Sequence, residues 1–238
     1  MSAARPIFLL AVATAGTVSL ARGAVPEQIV PVNPEPGSPV FTRPSSSTTT
    51  GGSTATSSYQ GAWGTADASA TLMAQTYGAD AVAAAQAAGI NPDTLAAFGQ
   101  IESHFQNVGN TSSSAQGVWQ VTDGTWNQYA SRLGLSTADR SDPVAQAKVA
   151  SAIISDYAST VSLATGAPAT GTQVYGAYMF GTKAGSAIAT ASNANAPLSQ
   201  FVSAKALAAN NMSGWTVAQY QQTVASRMGS GASEAVTS

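Results

Sequence analysis

From about residue 61 onward, apolar residues recur at intervals of three and four, punctuated by glycine, proline and asparagine, with few of the strict alternations of half-buried strands. The stretch "TLMAQTYGADAVAAAQAA" predicts a helix over residues 66–88, broken near Gly78 and ended by Gly89. Asn91-Pro92 supplies an N-cap with proline at the first helical position, so a helix is expected from there to about His104. Thr122 and Asp123 open another through "GTWNQYASRL", with Gly134 as its stop. Asp142-Pro143 repeats the cap-plus-proline signal before the longest pattern, "VAQAKVASAIISDYASTVSLA", which Gly166 closes. Shorter helices are expected over 172–180, 184–192, 198–209 and 216–228. The least helical part, "QNVGNTSSSAQGVWQV", predicts a loop or small hairpin, and "SEAVTS" at the end reads as a loose tail.

Composition changes the picture at the amino terminus. Only 8% of the 238 residues are charged, against about a quarter in an average soluble protein, so Ser, Thr, Asn, Gln and Ala must form the surface. Arg5 followed by "PIFLLAVATAGTVSLA" and the small residues Ala21 and Gly23 has the make-up of a secretory signal over residues 1–23. A proline-rich run and then "SSSTTTGGSTATSS" bury too little apolar surface to order a core, so residues 24–60 read as a disordered linker. One helical domain is expected over 61–230 and a disordered tail over 231–238.

Removing the signal deletes Arg5 and Arg22, leaving seven Lys and Arg against eleven acids, a net charge of −4. That balance gives no support to nucleic-acid or anionic-lipid partners. With the signal removed, no stable membrane insertion is expected and the location is periplasmic or secreted. The absence of cysteine excludes disulfides, a thiolate nucleophile and a lipidated cysteine. With His104 as the single histidine, neither a Ser-His-Asp triad nor a His-rich zinc site is supported, and no phosphate-binding glycine loop occurs. No metal or cofactor is expected, and carboxylate chemistry remains.

Glu102 is the sole glutamate between Glu35 and Glu234. On a wheel for the helix from Pro92, it lies within the apolar stripe of Leu95, Phe98, Ile101 and Phe105. A carboxyl among apolar side chains holds its proton more tightly, which suits a group that gives a proton away near neutral pH. The competing reading places Glu102 at the stripe's edge, in a salt bridge with Arg132 or Arg140.

The sequence around it carries more. Glu102-Ser103-x-Phe105, then a polar loop, then Gly117-Val118-Trp119-Gln120-Val121-Thr122 resembles the soluble lytic transglycosylase family, with its ES-x-F motif, Ser/Gly-rich loop and G-x-x-Q. The resemblance extends to "ADRSDPVAQAKVASAII", similar to the family's D-P-x-x-Q helix, and more weakly to "AYMFGTKAG" in the place of its AYN-x-G segment. It covers about residues 67–228. Thr111, Ser114 and Met179 depart from the pattern, the last standing where the family has the asparagine after Tyr178.

The resemblance implies a mainly α, lysozyme-like domain of the goose-type lysozyme kind, with a short irregular or β-hairpin segment beside a cleft that binds peptidoglycan glycan strands. It implies that Glu102 protonates the glycosidic oxygen between N-acetylmuramic acid and N-acetylglucosamine. The carboxylate then takes a proton from the muramic 6-hydroxyl and closes a 1,6-anhydro ring, so one carboxylate suffices where other glycosidases use two. Gln120 is expected to bond an N-acetyl group or the carboxyl, or else to brace its loop. Ser103 is expected near the reacting centre or on its own backbone, and Trp119 and Trp126 stack on sugars or fill the core. Tyr178 faces the cleft by resemblance and the core by periodicity. Asp123 and Asp142 read as caps, and His104 as solvated. The alternatives are a hydrolysing muramidase on the same fold, which needs a positioned water, and a non-catalytic wall-binding or secretion-apparatus protein. Under any of these the linker is suited to tethering the domain near an envelope machine.

Overall fold

A computed structural model describes residues 68–111 and 113–237. The expected signal, the whole expected linker and residues 61–67 of the expected domain lie outside them. Among the described residues the chain is mainly helical and forms no sheet. The helices are α1 Ala68–Met73, α2 Gly78–Ala87, α3 Pro92–Ser103, α4 Asp123–Ala130, α5 Pro143–Thr165, α6 Gly171–Phe180, α7 Thr182–Ala189, α8 Ala204–Ala209 and α9 Val217–Met228.

Local chemistry sets most of the boundaries. Asn91 caps α3 by accepting from the Asp93 amide at 2.9 Å, and Asp142 caps α5 by accepting from the amides of Val144 and Ala145. Thr216 and Gln219 close a reciprocal capping box at the start of α9. The 23-residue α5 forms one long wall, and its Ile153, Ile154, Tyr157 and Val161 are buried. α6 and α7 meet backbone to backbone: a Cβ on Gly185 would lie 2.2 Å from the Ala177 amide nitrogen, so only glycine fits there.

α3 runs through the middle of the domain, flanked by α1, α2, α5, α6 and α9. Its buried residues include Thr94 through Gly99 without a break, together with Ile101, Glu102 and Ser103. A wheel with one apolar stripe therefore understates it, because a helix enclosed by neighbours has no solvent face over most of its length.

Two expectations need correction. The helix expected over 198–209 is a 3-10 turn, Leu198–Gln200, followed by α8, because the Ser203 hydroxyl starts a new helix by accepting from the Ala206 amide. A further 3-10 segment, Thr137–Ser141, is held by a capping box between Ser136 and Asp139. The terminal segment expected to be loose is docked. Val236 is fully buried, its carbonyl accepts from the Asn91 amide at 2.8 Å, and its own amide donates to the Ala169 carbonyl at 2.9 Å. The Asn91 side-chain amide donates to the Glu234 carboxylate at 2.6 Å, so the chain end straps the start of α3 to the start of α6.

Candidate active site

The carboxyl of Glu102 stands one residue before the end of α3, and the helix stops there abruptly. His104 and Phe105 both take left-handed backbone angles, φ 55° and 61°. That conformation costs energy for residues with a Cβ, and two in succession persist only where the surroundings enforce them. The Phe105 amide donates to the Gly99 carbonyl at 3.2 Å, Tyr77 donates its hydroxyl to the Phe105 carbonyl at 2.9 Å, and the Phe105 ring lies over Gly99. The reversal takes His104 off the helix, so a wheel cannot place it. It is half-buried rather than solvated, and burial followed by the nearby Arg227 charge lowers its pKa.

The loop beyond is held by side chains more than by backbone pairing. Isolated bridges join Gly109 to Gln116 and Gln116 to Val121, the small hairpin the sequence allows. Gln146 of α5 is buried beneath it. Its Oε1 accepts from the Val118 amide at 2.8 Å, and its Nε2 donates to Asn107 Oδ1 and the Arg140 carbonyl, each at 2.8 Å. Gly117, at φ 88°, must be glycine on two counts, since a Cβ there would fall 2.4 Å from the Gln146 side chain. Arg140 clips the other flank, donating to the carbonyls of Ser114 and Val121 and pairing with Asp123.

Glu102 is 6% exposed, and burial raises its pKa to about 8. The Tyr175 hydroxyl beside it works in the opposite direction, favouring the ionised form, without reaching normal hydrogen-bond geometry. Neither arginine of the competing reading pairs with it: Arg132 bonds Asp156 at 3.3 Å, and Arg140 bonds Asp123. Near neutral pH this carboxyl therefore keeps its proton, in contrast to an exposed glutamate.

The other expected site residues gather around the same helix end but are committed to structure. Ser103 donates its hydroxyl to the Val118 carbonyl at 2.7 Å. Gln120, with φ 45°, donates its side-chain amide to the carbonyls of Gly117 at 2.8 Å and Val108 at 3.0 Å, the loop-bracing alternative. Trp119 is fully buried and donates its indole N–H to the Leu95 carbonyl at 2.9 Å, leaving no ring face for a sugar in this conformation. Tyr178, also fully buried, donates to the Trp119 carbonyl at 2.6 Å. Trp126 is a core residue as well, donating to the Ser136 carbonyl. Asp142 caps α5 as expected, whereas Asp123 sits in the first turn of α4 as the partner of Arg140.

Sequence reading missed Tyr175 and Tyr220. Both hydroxyls are buried without a partner at normal hydrogen-bond geometry, Tyr175 lying beside the Glu102 carboxyl, and the Glu102 charge raises the pKa of both phenols after burial does. The signal was present in the spacing Tyr175, Tyr178, but that spacing equally describes a core stripe. Gln146, fourth after Asp142-Pro143, was visible as part of a motif yet had no role assigned. A cavity of about 580 Å³ opens elsewhere, between α2 and α5, lined by Ala83, Ala87, Leu133 and Lys148 among others, with no wall from α3. Among the described residues no cluster of His, Asp or Glu could hold a metal, and no helix is long and apolar enough to cross a membrane.

Residues 81–197, which include Glu102, the loop and α5 to α7, match the family model of the transglycosylase SLT domain. No curated protein matches the chain.

Proposed function

Since the chain belongs to the transglycosylase SLT domain family through residues 81–197, whose members act on peptidoglycan, we propose that it is an exported lytic transglycosylase with Glu102 as its single catalytic residue. The observation that carries this reading is the Glu102 carboxyl itself, buried at the end of the central helix, holding its proton to about pH 8 and paired with no arginine. Such a group protonates the glycosidic oxygen between N-acetylmuramic acid and N-acetylglucosamine as that bond breaks. The carboxylate left behind accepts the proton of the muramic 6-hydroxyl as its oxygen attacks the anomeric carbon. The 1,6-anhydro ring closes, the proton returns to Glu102, and no water is consumed.

Ser103, Gln120, Trp119 and Tyr178 act in this scheme by holding the helix end and the loop in register, through the bonds to Val118, Gly117, Val108, Leu95 and Trp119. At 6% exposure the carboxyl is nearly enclosed, so a glycan strand reaches it only when the wall opens. The exposed stretch over 106–109, which carries no helix, is the natural moving part, since residues 117–121 are buried and held by Gln146, Arg140 and Ser103. Residues 1–23 are proposed as the export signal and 24–60 as a linker, which puts the domain in the periplasm or outside the cell. The linker would let it work beside an envelope machine.

The hydrolysing alternative has less support, because its two candidate water-positioning carboxylates are occupied, Asp123 with Arg140 and Asp142 at the cap of α5. The test is digestion of purified peptidoglycan followed by product masses. Cyclised products are lighter by one water than hydrolysed ones, and release of hydrolysed muropeptides alone would replace the transglycosylase reading with the muramidase one.

A further inference from the structure

We propose that Tyr175 is a positioning residue whose hydroxyl turns to donate a hydrogen bond to the Glu102 carboxylate once that group has given up its proton. The geometry starts from α3. Phe98 and Glu102 are one helical turn apart and share a face. The Tyr175 ring of α6 meets the Phe98 ring edge to face at 5.2 Å and 85°, and stacks on Tyr178 at 6.4 Å and 13°. Two neighbouring rings thus fix its plane, and its hydroxyl comes beside the next residue along that face of α3, the carboxyl of Glu102.

That hydroxyl is fully buried beside the Glu102 carboxyl and reaches normal hydrogen-bond geometry with no group, although buried polar groups are ordinarily satisfied. Tyr178, stacked on it, shows the ordinary outcome, with its hydroxyl bonded to the Trp119 carbonyl. An unsatisfied donor beside a protonated acid is a donor held in reserve. When Glu102 transfers its proton to the leaving oxygen, the new carboxylate gains an acceptor charge and Tyr175 can satisfy it without recruiting water. Stabilisation that exists only after proton transfer lowers the barrier to that transfer. No bond to Tyr175 forms or breaks, and the phenol keeps its proton throughout.

The groups facing this pair are Tyr178 on α6 and Tyr220 and Arg227 on α9, and the Arg227 charge also acts on His104 just past the end of α3. The Arg227 charge favours the ionised form of Tyr175, whereas the Glu102 charge and burial oppose it. The phenol therefore stays protonated at any pH at which the enzyme works and serves as a donor. Tyr220 is coupled to Glu102 as well, but it comes from α9, beyond the family match, and no ring pair aligns it along the Phe98–Glu102 face.

The inference rests on the proposed role of Glu102, and the experiment keeps the two separable. The chain has four glutamates, so carboxyl ¹³C labelling gives a titration in which the buried one stands apart by its high midpoint. In Tyr175→Phe that midpoint rises by about one pH unit, because the ionised form loses a donor to a charged group. The basic limb of kcat/KM on peptidoglycan rises with it, while the plateau rate falls on the order of 10- to 100-fold. Tyr178→Phe, which removes a hydroxyl bonded elsewhere, loses thermal stability and leaves the midpoint in place. Should Tyr175→Phe not fold, ring-labelled tyrosine in the wild-type protein provides the reading, since the Tyr175 Cζ resonance must titrate with the Glu102 midpoint. An unmoved glutamate midpoint in the folded variant, or a Tyr175 signal indifferent to it, overturns the proposal. A moved midpoint in a protein inactive on peptidoglycan supports the hydrogen bond and removes the function instead.

Discussion

Replacing Glu102 by glutamine should make the protein more stable at alkaline pH while leaving it nearly unchanged in acid. In the unfolded chain this carboxyl titrates near the ordinary 4.5, and in the folded protein at about 8. The native state therefore binds the proton more tightly, and the stability this contributes is complete below pH 4.5. It is lost as pH rises from there through 8. At about 1.4 kcal/mol per pH unit, the loss is about 3 kcal/mol at pH 7 and about 5 kcal/mol above pH 8, a large part of the marginal stability of a single domain. Glutamine cannot ionise, so the variant lacks this slope. Urea unfolding of both proteins from pH 4 to pH 9 measures it, and subtracting the curves removes every other titrating group, including His104. Stability curves that run parallel across the range would refute the claim that burial holds the proton on Glu102.

The other predictions concern the frame around the carboxyl. Gln146→Ala removes three hydrogen bonds under the loop, two of them buried, and leaves the Val118 amide without its acceptor, which should cost about 2–4 kcal/mol by thermal or urea unfolding and disorder the loop in amide exchange. Gly117→Ala combines a left-handed backbone with a Cβ 2.4 Å from Gln146, so a loss of at least about 2 kcal/mol is expected in the same assay. Val236→Asp buries an unpaired charge where the chain end crosses α3 and α6, and the predicted outcome is a marked fall in Tm with exchange protection lost first at Asn91 and Gly171.

What the sequence made legible was what is decided locally. Asn91-Pro92 and Asp142-Pro143 mark helix starts because the cap and the proline ring act within one turn, and Gly166 marks an end for the same reason. What it concealed depends on segments distant in the chain. Val236 reads as part of a polar tail until Asn91 and Ala169 come to it in space. His104 follows Glu102 by two positions and on a wheel faces away, yet the wheel ends at Ser103. At the site, Glu102 could be found because so few glutamates compete with it. Tyr175 could not, because a tyrosine becomes a neighbour of that carboxyl only through the packing of α6 on α3, and its periodicity is that of any core residue. Trp119 and Gln120 were found by motif, but their depth was not legible there: in the structure both side chains face inward, bonding the Leu95 and Gly117 carbonyls.

The proposed proton shuttle at Glu102 is tested most directly by the muropeptides that purified sacculi release on incubation with wild type and with Glu102→Gln, measured by mass. Anhydro products from the wild type, and a rate at least about a thousandfold lower from a folded variant, are the result predicted. Equal release by the two proteins would contradict it.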